Sequence, residues 1–136
     1  MPKLVLESAH RFLVYAPPDQ KAAAERFLRS VQTEFPSKIV ESYGSFGGFK
    51  KRLRIPISSK VIAILIPADQ RDLRNLVNLS GLVNGIPVVI LLSDSSPQSI
   101  AIAHRLRPRF LSFIDENPAS VVAVIDRLLG ASRNRE

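Results

Sequence analysis

Four aspartates of this sequence occupy positions where a metal site could form. Each follows a short apolar run of strand length by one to three residues: Asp19, Asp69, Asp94 and Asp115. If those runs are parallel strands of one sheet, the carboxylates share an edge, and converging carboxylates could bind Mg²⁺. Each aspartate also precedes a predicted helix, where a short acid caps free N–H groups. We favour capping, and we predict neither a metal ion nor a cofactor.

Other patterns that carry catalysis are missing from the sequence. There is no cysteine, so thiolate chemistry and disulfides are excluded. The two histidines, His10 and His104, form no HExxH-like pair, and no G-x-S-x-G motif occurs. Pro17 and Pro18 follow the first apolar run and have no N–H groups with which to cradle a phosphate. The sequence therefore predicts a domain that is not an enzyme.

Apolar runs of strand length alternate with segments of helical period along the chain. The predicted strands cover 11–16, 38–43, 60–66, 87–92 and 109–114, and the predicted helices cover 19–35, 49–54, 69–84, 97–106 and 117–130. Gly85 and Gly130 are expected to end the third and fifth helices. The alternation predicts a parallel sheet with helices on both faces. Five βα units in 136 residues fit a flavodoxin-like three-layer sandwich with strand order 2-1-3-4-5.

Length and composition fit a single domain that spans residues 11–130. Hydrophobic residues make up 46% of the chain, which supplies a full core. Residues 1–10 are interpreted as an N-terminal extension and residues 131–136 as a loose polar tail. The apolar runs are far shorter than the ~20 residues that cross a bilayer, and no secretory signal opens the chain. We therefore expect a cytoplasmic protein without a membrane partner.

Positive charge is concentrated in two segments of a chain whose net charge is +7. A run without acids contains Lys50, Lys51, Arg52, Arg54 and Lys60, and a smaller cluster contains Arg105, Arg107 and Arg109. Phe46 and Phe49 beside the run could stack bases while its cations bind phosphates. Solvated surface is the simpler interpretation. Nucleic-acid binding is therefore the alternative function, and the run is expected to be exposed and dispensable for stability.

The order and spacing of these elements resemble the CheY-like receiver domains of two-component response regulators. The likeness covers about residues 11–130. The segment 85–93 looks like the fourth receiver strand, which ends in a serine or threonine, here Ser93. The segment 108–118 is similar to the fifth strand and the turn after it. The resemblance implies a phosphotransfer site at the carboxyl ends of the strands.

The residues that the resemblance implies for phosphotransfer are replaced in this sequence. A receiver binds Mg²⁺ through two acids after its first strand, accepts phosphate on an aspartate at the end of its third, and contacts the phosphoryl group with a lysine after its fifth. The matching positions hold Ala16 and Pro17, then Leu65 or Ile66, then Ile114 or Asp115, and only Ser93 is retained. Without the acids, no metal neutralises phosphoryl charge. The chain resembles a degenerate receiver, or pseudo-receiver.

Two predicted helices are more apolar than a single contact with a sheet requires. The unbroken apolar segments are 100–103 and 121–125. In receivers the fourth helix, fifth strand and fifth helix form the face used by dimers and partners. We expect such a face here, for a signalling protein or a second copy of this chain, with these residues: Ile100, Ile102, Arg105, Arg109, Val122 and Arg127. The alternative is that the apolar members belong to the core.

Overall fold

The computed structural model describes residues 10–57 and 60–134, with side chains in the last helix described as far as Gly130. Its strands are β1 (Arg11–Tyr15), β2 (Ile39–Tyr43), β3 (Val61–Leu65), β4 (Val88–Leu92) and β5 (Phe110–Phe113). Its α-helices are α1 (Lys21–Glu34), α2 (Phe46–Leu53), α3 (Gln70–Val77), α4 (Pro97–His104) and α5 (Pro118–Asn134), and a 3₁₀ turn (Pro18–Gln20) precedes α1. The strands form one parallel sheet in the order β2-β1-β3-β4-β5. The predicted flavodoxin-like fold and strand order are confirmed.

The sheet separates two apolar layers. Every residue of β3 and β4 is buried, as is typical of central strands in a parallel sheet. Successive side chains of a strand point to opposite faces, so β1 contributes to both layers. Leu13 and Tyr15 pack with α2, α3 and α4, whereas Phe12 and Val14 pack with α1 and α5. Since all five strands are parallel, the loops that follow them gather at one edge of the sheet.

The third helix is shorter than the sequence predicts. It ends at Val77 rather than at residue 84, and a series of turns continues to Gly85. Leu79 and Val83 in these turns are buried, so core-facing turns produce the apolar spacing that suggested a longer helix. Gly85 does not cap α3. It adopts a φ of +86°, in the left-handed region that favours glycine, two residues before Pro87 leads into β4.

The start of α2 and the end of α5 also differ from the prediction. The helix α2 begins at Phe46 rather than at residue 49, because the Ser45 hydroxyl accepts a hydrogen bond of 3.1 Å from the Gly48 amide and caps it. The helix α5 continues through Gly130 to Asn134, so Gly130 is not a stop and residues 131–134 are helical rather than a loose tail.

The chain ends are described only in part. Of the predicted N-terminal extension only His10 is described, and it is buried, with its carbonyl oxygen accepting a hydrogen bond of 3.3 Å from the Ile39 amide. The rest of the extension and residues 135–136 of the predicted tail lie outside the described residues. No helix in the described part of the chain is both long and apolar enough to span a bilayer.

Candidate functional site at the carboxyl edge of the sheet

Two of the four rim aspartates use their carboxylates to order helix starts. Asp69 is the N-cap of α3, with Oδ1 accepting a hydrogen bond of 2.8 Å from the Asp72 amide. Asp94 accepts hydrogen bonds from the Ser96 amide at 2.8 Å and the Ser99 hydroxyl at 2.9 Å. The hydrogen bonds from Ser96, and then from Ser99, hold the pKa of Asp94 below its ordinary value. Capping is therefore confirmed for Asp69, while Asp94 supports the cap Ser96.

The other two aspartates do not cap a helix. Asp19 is exposed within a 3₁₀ turn that has no side-chain cap. Asp115 is exposed, and the start of α5 is capped instead by Asn117, whose Oδ1 accepts a hydrogen bond of 3.0 Å from the Ala119 amide. The prediction of capping is therefore wrong for Asp19 and Asp115. Within residues 10–57 and 60–134, no three acidic or histidine side chains come together in a way that could hold a metal ion.

A hydrogen bond connects β1 to α3 at the carboxyl edge of the sheet. Tyr15, which is 2% exposed, donates its phenol proton to Asp72 Oδ1 at 2.6 Å. Asp72 Oδ2 accepts a second hydrogen bond, of 2.9 Å, from the Ala68 amide. Burial raises the pKa of Tyr15, and the Asp72 carboxylate raises it further, so the phenol remains a donor into strongly alkaline conditions. Sequence analysis did not predict this contact.

The positions that match the receiver's acid pair and phosphoacceptor carry no polar side chain. Ala16 is half-buried and Pro17 is buried after β1. Leu65 and Ile66, at the end of β3, are 1% and 0% exposed. The Ile66 amide also donates to the Tyr15 carbonyl oxygen at 2.8 Å. A carboxylate at either of the last two positions would have to replace a core side chain.

The remaining positions of the receiver site lie around an open acidic cleft. Ser93 is exposed, and its hydroxyl donates to the Ala68 carbonyl oxygen at 3.3 Å. Three carboxylates and no cation line this cleft, together with Ser93, Ser95 and Phe113: Asp94, Asp115 and Glu116. Glu116 accepts a hydrogen bond of 2.8 Å from the buried Ser112 hydroxyl. Such an arrangement repels a phosphoryl anion, whereas the receiver's lysine would attract it.

The predicted interaction face is only partly exposed. Ile100, Ile102 and Val122 are half-buried, and each packs against one of the two core layers. The three arginines assigned to the face are exposed: Arg105, Arg109 and Arg127. Three further residues, which were not predicted for this face, are also half-buried because β5 is an edge strand: Phe110, Leu111 and Phe113.

The basic run of residues 50–60 divides into exposed and engaged cations. Lys51 and Arg54 are exposed, and Lys50 and Lys60 are half-buried. The Arg52 side chain is only 15% exposed, and its Nε donates to Glu41 Oε1 at 2.8 Å. The prediction of exposure is therefore confirmed for Lys51 and Arg54 and wrong for Lys50 and Arg52. Arg52 is partly buried because α2 packs over β2, and the Glu41 side chain faces the apolar layer that α2 covers.

Glu41 is the centre of this polar cluster. It accepts hydrogen bonds from Arg52, from Arg11 and from the Tyr43 hydroxyl, the last at 2.8 Å. Burial on its own would raise the pKa of Glu41, but the hydrogen bonds from Arg52, Tyr43 and Arg11 outweigh it and hold that pKa below its ordinary value. The Tyr43 pKa is raised, first by burial and then by Glu41. The cluster ties the edge strand to α2 and β1.

Comparison with known proteins identifies the fold. No protein-family model matches the sequence, and no curated protein matches it. The structure is similar to a CheY-like receiver domain protein from Methanospirillum hungatei, with a TM-score of 0.73 and 15% identity over 94% of this chain and 99% of that one. It is also similar to a Burkholderia pseudomallei response regulator, solved with a phosphorylated aspartic acid, a calcium ion and citrate. The TM-score is 0.67 and the identity 14%, over 93% of this chain and 72% of that one. For a putative pilus assembly-related protein from the same organism, the TM-score is 0.63 and the identity 17%, over 91% of this chain and 92% of that one. The chain therefore has the flavodoxin-like fold of CheY-like receivers.

Proposed function

We propose that this domain is a non-phosphorylatable, receiver-like module that acts through protein–protein contacts in signal transduction. The observation that carries the proposal is the apolar end of β3, where Leu65 and Ile66 are fully buried and no carboxylate is present to accept a phosphoryl group. Ala16 and Pro17 offer no acid for Mg²⁺ after β1. Asp72, the acid of α3 that lies at this edge, is already hydrogen-bonded to Tyr15. We propose accordingly that the domain is not an enzyme and uses no cofactor.

We assign the partner contact to the face formed by α4, β5 and α5. The half-buried apolar side chains of this face are these: Ile100, Ile102, Leu111, Phe113, Val122 and Val124. An edge strand such as β5 has backbone groups that face away from the sheet and can meet a partner. Exposed residues of these elements and of the turns that flank them include Arg105, Arg127, Glu116 and Asp126, so the face carries both signs of charge. A two-fold dimer, which places one face against its copy, is compatible with such a patch.

The first prediction concerns phosphorylation. We expect the protein to stay unmodified when it is incubated with acetyl phosphate and Mg²⁺, because no acceptor carboxylate exists at the end of β3. Intact-mass spectrometry measures the result, with a phosphorylatable receiver treated in parallel as the control. Beryllofluoride and Mg²⁺ should leave the amide NMR spectrum unchanged. A phosphorylated species of this protein would contradict the proposal.

The second prediction concerns self-association. Light scattering should detect a dimer at high protein concentration that Ile102→Glu or Arg127→Glu weakens, since the first buries a charge in the contact and the second places an acid beside Asp126. Ile39→Glu is the matched control, because Ile39 is 42% exposed at the opposite edge of the sheet. Circular dichroism reports whether each variant is folded. A wild type that remains monomeric, or a dimer equally weakened by Ile39→Glu, would exclude this dimer.

A further inference from the structure

Acids predominate at the carboxyl edge of the sheet, where Lys21 and Arg71 are the cations of the first helical turns, and cations predominate at the amino edge, where Glu34 ends α1. The carboxyl edge holds six acids, in the turns and first helical residues that follow the strands: Asp19, Asp69, Asp72, Asp94, Asp115 and Glu116. At the amino edge, cations begin or precede four of the five strands: Arg11, Lys38, Lys60 and Arg109. Helices between parallel strands run back towards the amino edge, so α2 and α4 bring their C-terminal cations there. The net charge of +7 is therefore unevenly placed on the molecule.

A cleft of about 410 Å³ opens at the amino edge, between the turns after α3 and the loop after α4. Its polar lining includes Ser80, Asn84, Arg105, Arg107 and Arg109, and no acid. Residues 73–114 contain one acid, Asp94, which lies at the opposite edge. All three arginines are exposed, and within the described residues none of them forms an ion pair. Their positive charge is left for a ligand or for solvent ions.

Arg107 is held in an unusual backbone conformation in this cleft. Its φ is +53°, in the left-handed region, which a residue just past a helix end commonly occupies as glycine. The Arg107 amide donates to the His104 carbonyl oxygen at 3.0 Å, and the Arg109 amide donates to that of Val88 at 2.7 Å. These two hydrogen bonds fix the backbone of the turn that carries both arginines.

A second cleft adjoins the first and joins the two basic segments of the sequence. It is lined by Arg54 at the end of α2, and it shares Asn84, Gly85 and Ile86 with the first cleft. The result is one amino-edge band, which we define by these residues: Arg54, Asn84, Gly85, Arg105, Arg107 and Arg109. Both clefts are open to solvent, whereas sites for small molecules generally enclose most of their ligand. The band therefore suits an extended polyanion.

We propose that the amino-edge band binds the phosphodiester backbone of a nucleic acid, an activity beyond the signalling module proposed above. Guanidinium groups bind phosphate oxygens in a bidentate geometry. No aromatic residue lines either cleft, so the band offers no platform for base stacking and recognises the backbone rather than the sequence. The acids at the carboxyl edge repel a polyanion and direct it to the amino edge.

The proposal differs from the nucleic-acid site that the sequence suggested. That site was placed on residues 50–60 with the aromatic residues Phe46 and Phe49. Phe49 is 1% exposed in the core, and Arg52 is paired with Glu41, so neither is available to a nucleic acid. Of the basic run, only Arg54 lines the band. The main contribution comes instead from the cluster after α4.

The test is fluorescence anisotropy of a short labelled DNA of mixed sequence, titrated with the full chain at several salt concentrations. The band variant is the triple Arg105→Gln, Arg107→Gly and Arg109→Gln, in which glycine suits the positive φ. The control is the triple Lys21→Gln, Arg26→Gln and Arg29→Gln, which removes the same charge from exposed sites on α1. We expect the band variant to lose about tenfold or more in affinity and about three units of salt slope, one for each phosphate contact. The control should keep the wild-type slope.

Three results would overturn the proposal. The first is a wild type that does not bind the DNA at low salt. The second is an equal loss in both triple variants, which would show a general effect of net charge. The third is displacement of the DNA by tripolyphosphate at a similar phosphate concentration, which would assign the band to a small polyphosphate. Circular dichroism checks folding, and Arg107→Gly alone, with a loss of about one unit of slope, serves if the triple variant unfolds.

Discussion

Replacing Asp72 with alanine should lower the free energy of unfolding by about 2–3 kcal/mol, because two donors at the carboxyl edge lose their only charged acceptor in the structure. The Tyr15 hydroxyl and the Ala68 amide both donate to Asp72. Tyr15 is 2% exposed, so its hydroxyl cannot recover the full loss from water. The variant also removes an acid from the first turn of α3, where the helix dipole favours it.

Denaturant unfolding followed by circular dichroism measures this loss. Tyr15→Phe removes one of the two hydrogen bonds and should cost about 1 kcal/mol. Arg71→Ala is the matched control, because Arg71 is the exposed neighbour on the same turn and should change stability by less than about 0.5 kcal/mol. The double variant Asp72→Ala and Tyr15→Phe should cost less than the sum of the two single changes. An Asp72→Ala protein as stable as Arg71→Ala would show that the contact contributes nothing.

The Tyr15–Asp72 contact lies at the edge where a receiver carries out phosphotransfer. In a receiver, a change at this edge removes an activity. Here the same change should remove stability, because the side chains that meet there, Tyr15 and Asp72, connect β1 to α3. The acidic cleft beside them adds no cation that could hold a phosphoryl group. The proposed module therefore keeps the receiver scaffold with a structural contact at its rim.

The strands and their order were predictable because their signals are local and strong. The apolar run that includes Val61 to Leu65 is typical of a buried strand in a parallel sheet, and its four counterparts with their crossovers leave few topologies. Helix ends were less predictable. Leu79 and Val83 continue the helical spacing of α3 from turns, and α5 continues through Gly130 to Asn134.

The candidate site was predictable only where it is local in sequence. Asp69 and Asn117 cap the helices that follow them within three residues, so short-range rules identify them. Tyr15 and Asp72 lie 57 residues apart, and no spacing rule connects them. The two basic segments likewise join into the amino-edge band only once α2, α3 and α4 are known to cover the same face of the sheet.

The cations of the basic run have different environments that the sequence does not distinguish. In the sequence, Lys51, Arg52 and Arg54 all lie in the same stretch without acids. Burial separates them, because the turn of α2 that carries Arg52 faces β2 and Glu41, while Lys51 and Arg54 face solvent. We therefore expect Arg52, unlike Lys51 and Arg54, to contribute to stability.

Glu41→Gln should lower the free energy of unfolding by about 2–3 kcal/mol, because it removes the carboxylate that pairs with two arginines. Arg52 depends on it most. Its Nη1 is buried and makes no hydrogen bond to any residue that the structure describes, so Nε bound to Glu41 provides its charge compensation. The folded pKa of Glu41 is lowered, so its stabilisation is complete above the unfolded pKa and is lost as the pH falls through the folded pKa. The difference between wild type and Glu41→Gln should therefore shrink in acid.

Three further variants test whether the loss of stability is specific to the pairing of Glu41 with Arg52. Lys51→Ser, at the exposed residue directly before Arg52, should change stability by less than about 0.5 kcal/mol. Arg52→Met should cost less than Glu41→Gln, because Glu41 keeps Arg11 and Tyr43 as donors. The double variant Glu41→Leu and Arg52→Met should be more stable than Glu41→Gln, since it removes the more buried guanidinium together with its partner and leaves only the more exposed Arg11 unpaired. If Glu41→Gln is as stable as Lys51→Ser, or if the stability difference between Glu41→Gln and the wild type does not shrink in acid, the cluster contributes little to stability, like a surface ion pair.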